Sequence, residues 1–246
     1  MTKLSVNVNK IALLRNARDL NIPNVRHFSK MVLEAGACGI TIHPRPDERH
    51  IKRQDVCDLS TLFENCNQIE FNIEGNPFHQ LLDLALEFCP TQATLVPDEV
   101  SAVTSDHGWD LSKDGGRLEP VISKLKAKGI RVSLFMDPSP EEISMAKAIG
   151  ADRVELYTEP YARAYNAANR ASVVEQYKEA SIAATEVGLE VNAGHDLNLD
   201  NLAYFLSEVS NVKEVSIGHA LTADLLEFGV SVTVKKYLYE IDRAYR

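Results

Sequence analysis

Short apolar runs alternate with longer amphipathic ones along the whole chain. Residues 4–8, 39–43, 68–73, 93–96, 130–135, 153–157, 189–192 and 214–217 are brief and dominated by Val, Ile, Leu and Phe, which predicts strands covered on both faces. Residues 24–34 (NVRHFSKMVLE) carry apolar side chains at helical spacing and stop at Gly36. Residues 77–88 begin with a proline in the first turn, where its missing N–H costs nothing. The same spacing predicts helices over 54–63, 118–127, 140–149, 200–209, 221–228 and 230–243, and residues 161–187 are long enough for two, so one is extra. Residues 97–115 are too polar and too rich in Gly and Asp to form an element, and a loop of that length in a compact domain is usually functional or disordered.

Eight strand–helix units without a Ser- or Pro-rich linker predict a single domain over residues 1–246, a (β/α)8 TIM barrel with extra helices. A doubly wound open sheet competes, but such sheets usually have fewer strands and a Gly-rich loop after the first, and no GxGxxG is present. Length and a hydrophobic content of 45% would allow one barrel or two smaller domains, so it is the element count that favours the barrel. The formal charge of −9 argues against nucleic acid as a partner, whereas a local cluster of Arg, His and helix N-termini can still hold a small phosphate. Cys38, Cys57, Cys66 and Cys89 form no CxxC pair, and three of the four lie in or beside apolar runs, which suggests buried thiols in a reducing compartment. With no signal-peptide pattern and no apolar run near the roughly twenty residues of a membrane span, the expectation is a soluble cytoplasmic protein with no membrane partner.

Candidate chemistry gathers where the predicted strands end. CGITIHPRPDERH passes from a buried strand into His43, Arg45, Asp47, Glu48, Arg49 and His50, stiffened by Pro44 and Pro46. The other ends supply Asn7 and Asn9, Glu70 with Asn72, the loop with Thr104, Asp137, Tyr157 with Thr158, Asn192 with Gly194 and His195, then Gly218 and His219. In a barrel these ends converge on one face. A lone strand-end histidine is more often structural, but four from three strands suggest an active site. Glu70 lies between Ile69 and Phe71, which would raise its pKa and make it a proton acceptor; an inward carboxylate neutralised by a barrel arginine is the alternative. The Gly194-His195 and Gly218-His219 pairs, with a short helix following, suit a phosphate site, to which Arg18 could add a clamp unless it is an ordinary surface arginine.

VNVNKIALLRNAR, GITIHPRPDERHI, IEFNIEG, LVPDEV with VTSDHGWDL, VSLFMDP, VNAGHDLN and IGHAL together resemble, in order and over nearly the whole chain, the pyridoxine 5′-phosphate synthase family of the deoxyxylulose-dependent vitamin B6 pathway. The resemblance implies a (β/α)8 barrel assembled as a homo-octamer, a tetramer of dimers. It also implies condensation of 3-amino-2-oxopropyl phosphate with 1-deoxy-D-xylulose 5-phosphate, releasing phosphate and water, without metal or organic cofactor. It makes His43 and Glu70 proton acceptors and His195 a proton donor, gives Arg45, His50 and Thr104 to the ketose phosphate, and gives Asn7, Arg18, Asp196, Gly218 and His219 to the aminoketone phosphate. Asn9-Lys10 stands where many members have Asp-His, and Asp196 where a Gly follows the histidine. The first change bears on the ketose contacts, where Lys10 either reaches the substrate or points to solvent, and the second on the backbone around a phosphate.

Other readings remain open at this level. A Schiff-base aldolase needs a lysine inside the barrel, but the sixth strand ends in Tyr157-Thr158. A sugar-phosphate epimerase could use His43, Glu70, His195 and His219 as metal ligands. A non-catalytic scaffold would have no use for so many aligned acids and bases.

Overall fold

The computed structural model describes all 246 residues except Asn65, Asn67, Ser101 and Val103. In chain order the elements are β1 (Lys3–Asn7), α1 (Asn9–Asn16), α2 (Val25–Glu34), β2 (Gly39–Ile42), α3 (Arg53–Phe63), β3 (Glu70–Gly75), α4 (Leu81–Phe88), β4 (Gln92–Leu95), α5 (Leu111–Ala127) and β5 (Arg131–Met136). They continue with α6 (Pro140–Ala148), β6 (Arg153–Leu156), α7 (Glu159–Ala164), α8 (Arg170–Glu186), β7 (Glu190–Ala193), α9 (Leu202–Glu208), β8 (Val212–Ile217), α10 (His219–Phe228) and α11 (Val230–Arg243). Each strand pairs in parallel with its neighbours in sequence, and β8 pairs with β1, so the sheet closes into the predicted (β/α)8 barrel. No helix among the described residues is long and apolar enough to cross a membrane.

Alternation along the strands separates two environments. Leu4, Ile40, Ile73, Leu95, Leu134, Val154, Val191 and Val215 belong to one fully buried apolar cluster with the surrounding helices. The intervening residues face the barrel interior and are mostly polar, as the bonds across it show. Ser5 Oγ lies 2.8 Å from Thr41 Oγ1, Thr94 Oγ1 donates to Asn72 Oδ1 at 3.0 Å, and Arg153 Nη1 reaches from β6 to Glu70 on β3 at 3.5 Å. Arg131 pairs closely with Glu70 as well, and both arginines donate to Gln92 Oε1, at 2.9 and 3.2 Å. Glu214 completes the group, its pKa held far above the carboxylate range by burial and then by its hydrogen bond to Glu70.

The cysteines expected to be buried are half-buried at Cys38 and Cys57 and exposed at Cys66 and Cys89, and three expectations about the elements change. The third strand runs to Gly75 instead of stopping at Ile73, which moves Glu70 to its beginning and Glu74 to its end. Helix α5 begins at Leu111, inside the predicted loop: Leu111, Gly115 and Leu118 are buried on one face, and Glu142 of α6 accepts from the Leu111 N–H at 2.6 Å. Tertiary packing here overrides two poor helix formers, Gly115 and Gly116. Helix α1 was not predicted because its exposed Leu13 and Leu14 blur the pattern set by buried Ile11 and Ala12.

Removing one arginine should expose the cost of the buried carboxylates. Arg153→Met should lower the free energy of unfolding by about 3 kcal/mol, read from the urea midpoint at neutral pH. For Glu70, burial works to raise the pKa, but the hydrogen bonds from Glu214 and Arg131 and the charges of Arg131 and Arg153 pull it down to about 2. Its stabilisation is therefore complete above the ordinary glutamate pKa and disappears as pH falls towards 2, so Glu70→Gln should destabilise strongly at pH 7 and progressively less at pH 4 and 3.

Candidate active site

A cavity of about 460 Å³ opens at the C-terminal ends of the strands. Asn7, Asn9 and Lys10 enter it from the β1–α1 junction; His43, Arg45, Arg49 and His50 from the loop after β2; Glu74 from β3; Thr104 and Ser105 from the loop after β4. Phe135 and Glu155 form part of its lining on β5 and β6, and Gly194, His195, Asp196, Ser216, Gly218 and His219 close the circle. Of the residues to which the family resemblance drew attention, all but Glu70 and Arg18 line this space, whereas the further strand-end candidates Asp47, Glu48, Asn72, Asp137, Tyr157, Thr158 and Asn192 do not. Arg18 is exposed beyond the end of α1, in a separate cavity of about 350 Å³ shared with Asn24, Lys52 and Asp58. Glu70 sits at the opposite end of β3, buried against Arg131 and Arg153, so the expectation of a raised pKa is overturned and that of a strand-end base with it. Its alternative, a carboxylate neutralised by barrel arginines, describes what is found. The metal-ligand quartet that included Glu70 is consequently not assembled.

The β1 and β2 ends are tied together by asparagines. Asn7 Oδ1 accepts from the Asn9 N–H at 3.0 Å, and Asn9 Oδ1 accepts from the His43 N–H at 2.9 Å. His43 is buried, and burial, aided by the charges of Arg45, His50 and Arg49, holds its pKa well below the usual imidazole value, so it is a neutral ring able to accept a proton. Burial and the cations Arg45, Lys10 and Arg49 bring His50 down to about 4. Its Nδ1 accepts from the Ile51 N–H at 2.9 Å, which leaves Nε2–H as the donor. Arg15, buried under this loop, binds Asp55 and the His50 carbonyl at 3.1 Å, fixing the loop from below.

Arg45 lines the cavity but also forms a close ion pair with Asp98 and donates to the Ala102 carbonyl at 2.9 Å. Arg49 donates to the same carbonyl at 3.0 Å, so the two arginines hold the loop after β4 over the cavity. Thr104 on that loop lies 3.0 Å from His195 Nε2, while Thr158 donates to the His195 carbonyl at 2.6 Å. The His195 ring stands edge-on to Tyr157, with centroids 5.3 Å apart, and its Nδ1 is 3.5 Å from Asp196 Oδ2. Asp196 adopts φ +64°, the left-handed conformation that Asp tolerates better than most residues, so the turn survives without a glycine. Gly194 has no such latitude: a Cβ there would lie 2.1 Å from the Ser216 carbonyl oxygen. Gly218 packs against Asn7 and caps α10, whose first residue is His219.

Two acidic groups of this cavity escaped the sequence analysis. Glu155 is buried and its pKa is pushed up to about 7 by burial, against the pull of His195. Burial, then the charges of Glu155, Asp98 and Glu214, push Glu74 well above the carboxylate range. Alternation counted back from the strand ends could have found both, since Glu74 precedes Gly75 and Glu155 lies two residues before Tyr157. A glutamate that ionises near pH 7 when folded but near its ordinary value when unfolded costs stability as pH rises between those values. Glu155→Gln should therefore raise the melting temperature at pH 8, on the order of 5 °C, with a smaller gain at pH 5.

Comparison with known proteins agrees with this architecture. The chain is 54% identical over 242 residues to pyridoxine 5′-phosphate synthase of Albidiferax ferrireducens, covering 96% of each chain. It is 50% identical over 240 residues to that of Brucella anthropi, covering 96% of this chain and 97% of the other. Among solved structures, 3-keto-L-gulonate-6-phosphate decarboxylase from Vibrio cholerae superposes with a TM-score of 0.66 at 10% identity, covering 100% of this chain and 99% of the other, a likeness of fold alone. The family profile of the pyridoxal phosphate biosynthesis protein PdxJ matches residues 4–243, and the chain belongs to that family.

Proposed function

We propose that this protein joins 3-amino-2-oxopropyl phosphate to 1-deoxy-D-xylulose 5-phosphate by acid–base catalysis, forming pyridoxine 5′-phosphate and releasing phosphate and water. The observation that carries the proposal is the cavity itself: a neutral His43 and a His195 held by Thr104 line one space together with His50, Arg49, Lys10 and the N-terminus of α10. Joining an amine to a ketone, losing water, losing phosphate and closing a ring are successive proton transfers, and fixed acids and bases lining one cavity suit them. His43 accepts protons and His195 donates them. The α10 N-terminus at Gly218-His219, with Asn7 alongside, offers backbone N–H groups to one phosphate. Lys10 and the His50 Nε2–H offer donors to the ketose phosphate, with Arg45 and Thr104 bordering the same end. No step calls for a metal or organic cofactor. A homo-octamer, a tetramer of dimers, is proposed for the assembly; exposed Leu13, Leu14, Leu20 and Ile22 near α1 are compatible with self-association.

Incubating the purified protein with both phosphates should yield the pyridoxine chromophore, and absence of product would refute the assignment. His195→Asn should lower kcat about a hundredfold or more with modest change in KM. Lys10→Ala should raise KM for the ketose phosphate about tenfold while leaving KM for the aminoketone near its starting value, as expected for loss of one charge-assisted hydrogen bond. Equal ketose KM values in the two proteins would place Lys10 in solvent.

A further inference from the structure

One side of the cavity is apolar, and no role above uses it. On β4, β5 and β6, which pair in sequence, the inward positions run from Thr94 to Val96, from Ser133 to Phe135 and from Glu155 to Tyr157, so three adjacent strands pass from polar to apolar at the mouth. The same two-residue step on β1, β2 and β3 leads instead to polar side chains, from Ser5 to Asn7, Thr41 to His43 and Asn72 to Glu74. Val96, Phe135 and Tyr157 are buried and pack on one another as a small cluster of their own, separate from the main apolar core. The Phe135 and Tyr157 rings are 5.5 Å apart between centroids. Val96 and Phe135 line the cavity, where the one other apolar side chain among the described residues, Leu13, is 43% exposed; Tyr157 does not line it and backs Phe135. Backbone contacts hold all three in place. The Val96 N–H donates to the Gly75 carbonyl at 2.9 Å, the Trp109 N–H to the Phe135 carbonyl at 3.0 Å, and the Tyr177 hydroxyl to the Tyr157 carbonyl at 2.7 Å. A fixed apolar wall in a polar cavity gains most when an apolar group of a ligand displaces the water against it. The wall also borders the acid–base group: the His195 ring stands 5.3 Å from Tyr157 and 6.3 Å from Phe135 between centroids, edge-on to both.

We infer that Val96 and Phe135, backed by Tyr157, form a specificity wall that receives the methyl group of the ketose phosphate and rejects ketoses carrying a hydroxyl on that carbon. The inference rests on the proposed condensation and names the part of the substrate that this wall reads. Apart from one methyl group, 1-deoxy-D-xylulose 5-phosphate is phosphate, hydroxyls and a carbonyl, and the methyl is bonded directly to the carbonyl carbon that the amine attacks. A group one bond from the reacting carbon lies against the surface flanking the side chain that serves that carbon. Beside His195 that surface is Phe135 and Tyr157. In D-xylulose 5-phosphate a hydroxyl replaces one hydrogen of the methyl group, and against Val96 and Phe135 it gives up its hydrogen bonds to water with no donor or acceptor from either side chain in return. The polar side chain nearest in register is Glu155, opposite Phe135 on β6, whose Oε2 is buried and has no hydrogen-bond partner among the described residues. A hydrophobic surface of this kind discriminates against an added hydroxyl by about a hundredfold.

The test measures kcat/KM for 1-deoxy-D-xylulose 5-phosphate and for D-xylulose 5-phosphate with the aminoketone phosphate saturating, the two products differing in mass by one oxygen. Wild type should favour the deoxy sugar by about a hundredfold. Val96→Thr keeps the shape of the side chain and adds a hydroxyl to the wall, so it should narrow that ratio by about tenfold. Phe135→Leu opens room for a hydroxymethyl group and a water, and should narrow the ratio in the same direction. If the wall only supports His195, both variants slow the two ketoses alike, and that unchanged ratio overturns the inference. A wild type that uses both ketoses equally well overturns it too, since Glu155 or a water then serves the hydroxyl. If Val96→Thr does not fold, Phe135→Leu decides: an unchanged ratio overturns the role, and a ratio narrower by about threefold or more supports it. A wild type that makes no product from the deoxy sugar overturns the proposed condensation, and this inference with it.

Discussion

The structure depends on carboxylates and arginines buried inside a closed sheet. Arg131 on β5 and Arg153 on β6 both reach Glu70 on β3, and Gln92 on β4 accepts from each of them. Four strands are thus joined through the barrel by side chains, in addition to their backbone ladders. Charges so placed are costly unless paired, and leaving one partner alone costs several kcal/mol, so the network penalises any other strand register. The interiors of such barrels are usually filled by branched apolar residues. Here Ser5, Thr41, Asn72, Thr94, Ser133 and Asn192 occupy buried polar positions along the strands, and the apolar packing lies outside, between sheet and helices.

That arrangement sets up the site. At the base of the barrel Glu214 and two arginines hold Glu70 ionised, while burial and the hydrogen bond to Glu70 keep Glu214 protonated. Towards the cavity Glu155 and Glu74 have no arginine partner among the described residues, and burial pushes both towards their protonated forms. Among these glutamates Glu70 alone is held ionised, because hydrogen bonds from Glu214 and Arg131 and the charges of Arg131 and Arg153 outweigh its burial. Histidines at the mouth follow the same logic in reverse. His43 and His50 stay neutral through burial first and the neighbouring arginines second, one free to accept a proton and the other to donate a hydrogen bond.

The loops add the remaining order. Asn9 ties β1 to the His43 backbone, Arg15 supports the loop carrying His50, and Arg45 and Arg49 both grip the Ala102 carbonyl above the cavity. Holding reactive side chains through backbone contacts limits their freedom before any substrate arrives, which is what multistep proton transfer requires. Gly194 belongs to the same design, since only a residue without Cβ lets the His195 turn pass the Ser216 carbonyl.

Hydrophobic alternation and helical spacing were enough to establish eight strand–helix units and their order, because both periods are local properties of the chain. The convergence of His43, His50, His195 and His219 also followed, since parallel closure brings all strand ends to one face. The strand ends also supplied Asn7, Asn9, Arg45, Thr104 and Gly218, and the family resemblance added Lys10 and Asp196, all of which line the cavity. What sequence could not settle was the exact end of a strand. A two-residue difference at β3 keeps the same side chains inward, yet it exchanges Glu70 for Glu74 at the cavity and sends Glu70 to the arginines. Nor could it show that Arg18 lies outside the cavity, that Gly115 and Gly116 are helical, or which glutamates keep their protons. Those outcomes depend on side chains far apart in sequence, Arg131 and Arg153 for Glu70, Glu142 for α5, and Asp98, Glu155 and Glu214 for Glu74, and only the closed barrel brings them together.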